Sequence, residues 1–343
     1  MKKHINIPVF IPHLGCPNQC VFCNQRSITG VGKFDPESVT DLIEEALSTV
    51  SEDTESEIAF FGGSFTGIDY DLMCRLLEIA YTYVKNGRVS SIRCSTRPDY
   101  IDEKILDTLS AYGVRVIELG LQSTDESVLT ATKRGHTFDA ELKAVTLIKQ
   151  RGFSLVGQMM IGLPGSTLEK EIETAKFICS SGADGARVYP TVVFKDTELC
   201  CMAERGEYTP LSLDETVLRT AEILKIFYDS GVKVMRIGLC ASDNLSNPDS
   251  YHSGPNHSAL GELCENRVFY SLMYEKIKNL SPESGAQLTI KVPKGAISKA
   301  VGQNKNNKLR LISEFSLANI SFIEDDGLFG YEIECEERKD KCI

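Results

Sequence analysis

No stretch of this 343-residue sequence approaches the ~20 apolar residues that a membrane span requires. The opening run Ile5–Pro12 is short and is broken by Asn6, Pro8 and Pro12, so it does not read as a signal peptide. Tryptophan is missing, and positive charge is in deficit: 37 Lys and Arg stand against 48 Asp and Glu, a net −11. That balance argues against nucleic-acid binding by the surface as a whole, but not against a local basic island. Low-complexity tracts are also lacking, as are internal repeats beyond an alternation of strand and helix patterns. With 42% hydrophobic and 25% charged residues, the chain has the make-up of a folded globular protein, long enough for one large α/β domain and something smaller. The expected compartment is the reducing cytoplasm, where the 12 cysteines are not expected to pair as disulfides and some are expected to hold metal.

From residue 4 to about 236, short β-branched or apolar runs alternate with amphipathic stretches, the pattern of repeated β/α units on a parallel sheet. Strands are predicted at Ile5–Phe10, Glu57–Phe61, Ser91–Ser95, Arg115–Leu119, Ser154–Ile161 and Gly185–Tyr189. Helices are predicted at Pro36–Thr49, Tyr70–Lys85, Asp102–Tyr112, Phe138–Gln150 and Leu168–Ser180. Gly87, Gly113, Gly152 and Gly182 follow four of them as C-caps. A curved, incomplete barrel closes such a series most simply, with a doubly wound sheet as the competing architecture. Beyond Pro190 the pattern predicts a helix Asp214–Ser230, a strand Val232–Ile237, a polar loop Ser242–Pro255, a helix Ser258–Asn279 and a linker Ser281–Gly285. The last segment runs strand, helix, loop, helix, strand, from Leu288 to Ile323.

Cys16, Cys20 and Cys23 follow the first strand with C-x3-C-x2-C spacing, at the end of a parallel barrel where catalytic groups collect. A structural zinc site wants four closed ligands, whereas three cysteines suit a [4Fe–4S] cluster with one iron left open. His13 keeps a zinc alternative alive as a fourth ligand. Other polar residues fall at strand ends: Thr96, Arg97 and Asp99, Gln122 and Ser123, and Arg187 with Tyr189. Arg97 and Arg187 are candidate substrate contacts, and Arg187 can hold a carboxylate or phosphate by a bidentate pair; the alternative for Arg97 is a simple pairing with Asp99 across the turn. Arg134 and His136 lie in a loop before a helix, and no catalytic acid or base stands out.

The triplet, with Phe22 before its last cysteine, resembles the signature of the radical S-adenosylmethionine (radical SAM) superfamily. The resemblance implies a partial (β/α)6 TIM-like barrel. It also implies a [4Fe–4S] cluster, with SAM chelated at the open iron, and a reductant such as flavodoxin or ferredoxin. Reductive cleavage of SAM would give a 5′-deoxyadenosyl radical that abstracts a substrate hydrogen. Phe60-Phe61-Gly62-Gly63-Ser64-Phe65 resembles the turn that meets the SAM amino group, with Ser64 where the family favours Glu. Met160-Ile161-Gly162-Leu163-Pro164-Gly165 resembles the turn beneath the adenine, and Gln122 is expected to contact the SAM ribose or the adjacent substrate. Four further motifs, at Ser95–Asp99, Glu118–Ser123, Arg134–Thr137 and Arg187–Thr191, are similar to the radical SAM region of the Elongator catalytic subunit family, which modifies tRNA wobble uridine. That similarity covers residues 4 to about 238; acetyl transfer by a further domain is not expected of this chain.

Residues 285–313 hold Lys291, Lys294, Lys299, Lys305, Lys308 and Arg310 and no acidic residue. Their strand–helix–loop–helix–strand order resembles a KH module, in which a GxxG loop clamps single-stranded nucleotides. Gly302 matches the first glycine, Lys305 replaces the second, and Lys308 adds charge. The expected organisation is therefore a barrel at 1–240, an extension and linker at 241–284, and a small α+β KH-like RNA-binding domain at 285–343 with an acidic tail. The leading expectation is a radical SAM enzyme acting on RNA, with tRNA as the expected substrate. The alternatives are the same chemistry on a small molecule or protein, and a non-catalytic Fe–S RNA-binding protein.

Overall fold

The computed structural model describes residues 4–11, 14–16, 20–24, 34–51, 53–239 and 250–338. Contacts divide the chain into two compact units, Met1–Ser212 with Val232–Asn256, and Leu213–Gly231 with His257–Ile343.

The first unit is a curled sheet of seven strands: β1 (His4–Ile11), β2 (Glu55–Gly62), β3 (Ser91–Thr96), β4 (Val114–Gln122), β5 (Ser154–Ile161), β6 (Gly185–Pro190) and β8 (Lys233–Ile237). They pair in sequence order, each parallel to the next. A doubly wound sheet reverses its strand order partway, so this unbroken order makes the sheet an open half-barrel. The period of two explains how it is filled. On β1, Ile7, Val9 and Ile11 are buried, while His4, Asn6, Pro8 and Phe10 line the interior cavity.

Helices α1 (Val39–Ser48), α2 (Tyr70–Lys85), α3 (Glu103–Ala111), α4 (Glu126–Ala131), α5 (Phe138–Gln150) and α6 (Leu168–Ser180) lie between the strands. Asp69, Asp102, Asp125, Thr137 and Thr167 accept backbone N–H bonds as N-caps of α2 to α6. Pro36 opens a 3-10 turn, Pro36–Ser38, before α1, so the first predicted helix starts three residues late. Short elements escaped the periodic signal: α4, β7 (Val193–Phe194), α7 (Glu198–Glu204) and β9 (Tyr251–Ser253). The last lies inside the stretch read as a loop and pairs antiparallel with β7.

The second unit joins α8 (Leu213–Asp229) and α9 (Leu260–Leu280) to β10 (Gln287–Pro293), α10 (Ile297–Val301), α11 (Asn306–Glu314), β11 (Asn319–Asp325) and β12 (Glu334–Glu337). Its core contains Phe269, Met273 and Ile277 of α9, Leu288, Ile290 and Val292 of β10, and Leu311 and Ile320. The packing thus differs from the boundaries expected from sequence. Helix α8 belongs with the C-terminal unit, and α9 is part of that unit's core instead of an extension. Strand β10 pairs in parallel with β11 and antiparallel with β12, so the acidic tail contributes a strand. Its carboxylates meet Lys291, which lies 3.1 Å from Glu334.

Ile290 is fully buried. Ile290→Ala should cost ~2–5 kcal/mol of stability, read as a lowered urea midpoint in far-UV circular dichroism.

Candidate active site

The interior of the half-barrel is a cavity of about 660 Å³ that runs from His4 and Asn6 to Phe22 and Cys23 at the strands' carboxyl ends. Its wall is charged. Glu118 on β4 is fully buried and accepts bonds from Arg93 Nη1 at 2.9 Å, Arg187 Nη2 at 2.8 Å and Gln158 Nε2 at 2.9 Å. Arg93 also reaches Glu57 on β2, which bonds His4 at 2.9 Å and Ser91. A buried carboxylate survives only when paired and hydrogen-bonded, and this network pairs both of them. Tyr189 lines the same cavity 3.4 Å from Arg187, and burial pushes its phenol up.

The cysteine loop packs on the glycine turn after β2. Gly63 N–H donates to Ile11 O at 2.8 Å and Ser64 N–H to Leu14 O at 3.2 Å. A Cβ on Gly63 would strike the Leu14 carbonyl, and one on Gly15 would strike the Ser64 carbonyl. Gly62 has φ +111°, which favours glycine. These glycines are therefore required for the loop bearing Cys16 to meet the turn, before any ligand is considered. Ser64, expected at the cofactor, turns its hydroxyl to Thr96 at 2.9 Å and accepts from Arg97 N–H at 3.3 Å, tying β2 to β3.

Cys20 is buried, and its Sγ accepts a bond from Arg134 Nη1 at 3.3 Å. Val21 N–H donates to Thr132 O and Leu199 N–H to Val21 O, which anchor the loop on two sides. Phe22 packs beside Val193 and Leu199 and also lines the cavity. Burial pushes the Cys16 thiol up, while the Ser64 backbone and the charges of Arg97 and Arg134 oppose that rise.

Gln122 ends β4 with φ +73°, a conformation that costs a non-glycine residue ~1–3 kcal/mol and clusters at functional sites. It lines the cavity, and its Oε1 is buried without a partner among the described residues. Gly162 has φ +79°; its N–H donates to Glu171 at 2.7 Å and its carbonyl accepts from Tyr208 at 2.7 Å.

Arg97 forms the turn pairing foreseen as its structural role, with two 2.9 Å bonds to Asp99 and one of 2.5 Å to Arg134 O. Arg187 is turned inward, stacked 5.3 Å from the Phe61 ring centroid, with Nε buried and without a partner among the described residues. His13 and Cys240 lie outside the described residues.

Among the described residues, the side chains whose ligand atoms all fall within 4.8 Å are Cys200, Glu204 and His252. Three thiols at one mouth, a guanidinium on one sulfur, and an unpaired buried acceptor in the adjoining cavity together suit a [4Fe–4S] cluster with bound SAM.

In the C-terminal unit, Gly302 has φ +78° and Lys305 φ +63°, so Lys305 keeps the left-handed backbone that glycine would favour. Four cations of the basic island are paired: Lys291 and Lys294 with Glu334 and Asp326, Lys299 with Glu265, and Arg310 with Glu314. Lys305 and Lys308 have no acidic partner within 4.0 Å among the described residues. Asn307, which sequence reasoning missed, fastens the turn by donating to Asn266 O at 2.8 Å and Ala300 O at 3.1 Å.

The family description "Radical SAM superfamily" matches residues 10–178, and "Radical_SAM C-terminal domain" matches 183–269. An uncharacterized protein of Methanocaldococcus jannaschii is 27% identical over 238 residues, 65% of this chain and 72% of its own. A tRNA uridine(34) acetyltransferase of that organism is 29% identical over 243 residues, covering 59% and 45% of the two chains. Human Elongator complex protein 3 is 30% identical over 256 residues, covering 63% and 47%. The chain spans about half the length of these last two relatives. The structure of archaeal Methanocaldococcus infernus Elp3 shares the fold, with a TM-score of 0.63 at 24% identity over 80% of this chain and 64% of that one.

His136 and Glu141 form a buried pair 2.9 Å apart, two residues beyond Arg134. Burial pushes Glu141 from 4.5 up to about 9, and His136 from 6.5 down to about 3. Between pH 6.5 and 9 the folded pair keeps one proton that the unfolded chain has released, so stability falls as pH rises. Urea midpoints across that window should fall less in Glu141→Gln than in wild type; parallel profiles would refute the neutral pair.

Proposed function

This chain belongs to the radical SAM superfamily, and we propose that it modifies tRNA by SAM-derived radical chemistry. The observation that carries the proposal is the cysteine triplet at the carboxyl-end mouth of the half-barrel, beside the glycine turn and the unpaired Gln122 oxygen. When bound, the cluster supplies the electron that cleaves SAM to a 5′-deoxyadenosyl radical, which abstracts a substrate hydrogen.

The chain's own residues hold and orient. Cys16, Cys20 and Cys23 ligate the cluster. The turn at Gly62 and Gly63 would hold the amino end of SAM, with Gly62 lining the cavity. Gln122 Oε1 accepts a ribose hydroxyl, which satisfies an otherwise unpaired acceptor. Gly162, fixed by Glu171 and Tyr208, shapes the turn beneath adenine. Arg187 offers Nε to an acceptor on the substrate, while Glu118 fixes its other edge. Arg97 supports the mouth through Asp99.

Support for tRNA comes from the relatives named tRNA uridine(34) acetyltransferase, and from Lys305 and Lys308, which have no acidic partner among the described residues of the C-terminal unit. In this reading Gly302 admits the RNA backbone, while Lys305 and Lys308 neutralise phosphates. A flavodoxin or ferredoxin supplies electrons.

Cys16/Cys20/Cys23→Ala should abolish the brown chromophore formed on anaerobic reconstitution, and with it 5′-deoxyadenosine release under dithionite and SAM. Wild-type protein that yields no 5′-deoxyadenosine would overturn the enzyme reading. Separately, Lys305→Ala/Lys308→Ala should weaken tRNA binding and flatten its log–log salt slope by roughly one per lysine; an unchanged slope removes the C-terminal role.

A further inference from the structure

Arg134 is a buried cation with no carboxylate in salt-bridge range among the described residues. It is 6% exposed. Nη2 donates to Gly120 O at 2.6 Å and Nη1 to Cys20 Sγ at 3.3 Å, and Nε has no partner among the described residues. The other arginines near the cavity are answered differently: Arg93 by Glu57 and Glu118, Arg97 by Asp99, Arg187 by Glu118. Burying an unpaired guanidinium is costly, so a fold that keeps one needs a negative group beside it.

The local backbone is built to deliver this side chain. Helix α4 ends with Arg134 N–H donating to Leu129 O at 3.0 Å, between Lys133 at φ +53° and Gly135 at φ +73°. That C-cap turns Arg134 inward, and Arg97 Nη2 locks its carbonyl at 2.5 Å. Val21 N–H to Thr132 O, at 3.2 Å, ties the same turn to the cysteine loop. Glu141 on α5 is bonded to His136.

We infer that Arg134 sets the reduction potential of the [4Fe–4S] cluster, through a charge-assisted N–H···S bond to the Cys20 ligand. This rests on the cluster assignment above. Reduction adds one electron to a cluster already carrying three thiolates. A fixed positive charge and a donor on one sulfur favour the more negative state, and so raise the potential. Arg134 is a positioning and tuning residue: it acts through Cys20 and touches no substrate.

The test is a redox titration of anaerobically reconstituted full-length protein without SAM, followed by electron paramagnetic resonance of the reduced cluster. Iron content is measured in parallel. Arg134→Gln should lower the equilibrium constant for reduction about tenfold, a shift of ~59 mV to more negative potential for one electron. Arg134→Lys keeps the charge and should shift it less. Full iron content with an unchanged midpoint in Arg134→Gln overturns the inference while leaving the cluster assignment intact. If Arg134→Gln does not load iron, Arg134→Lys decides: a midpoint equal to wild type overturns the inference, and a smaller negative shift supports it. Wild-type protein that binds no cluster would instead refute the assignment on which the inference rests.

Discussion

One carboxylate organises the interior of the half-barrel. Glu118 is fully buried on β4 and draws donors from β3, β5 and β6, so four neighbouring strands are held at a common depth. Removing either arginine leaves buried negative charge less compensated in a low-dielectric space, which is why such a network rigidifies more than its separate bonds suggest. Glu57 extends the alternation to β2 and to His4 on β1. The open side of the sheet makes this stiffness necessary. A closed barrel is braced by its own ladder, whereas a half-barrel must keep its curl through interior contacts.

That rigidity is passed upward to the strand ends. Gln122 occupies a left-handed backbone at the end of the strand that carries Glu118, where the register with β5 shifts. The Ser64–Thr96–Arg97 bonds join the ends of β2 and β3 in the same way. The cysteine loop then rests on a turn whose glycines leave no room for side chains. The mouth is therefore assembled from backbone contacts, which suits a centre whose ligands must be preorganised while its cofactor comes and goes.

The two units use charge differently. Inside the barrel, opposite charges are buried against each other. In the C-terminal unit they meet at the surface, where such pairs contribute little to stability, but they change what the surface offers. Lys291 faces Glu334 of the acidic tail and Lys299 faces Glu265 of α9, so the basic island counted along the chain narrows in space to Lys305 and Lys308.

The long periodic elements were legible in the sequence because the burial period of a strand or helix is written in its apolar positions. The triplet Cys16, Cys20 and Cys23 was legible because its three thiols are local in sequence, and Gly62 and Gly63 because close approach leaves glycine no substitute. Short elements such as β7, β9 and α4 were not, since two to six residues are too few to show a period. Nor was the role of Ser64, which depends on Thr96 across the sheet, or the place of α8, which depends on α9. Arg134 is the clearest case. In sequence it is a loop residue beside a histidine, and nothing local distinguishes it from a solvated cation. Only the fold brings it to Cys20 across 114 positions and removes it from water, because a long-range contact is fixed by packing and leaves no trace in the spacing of residues.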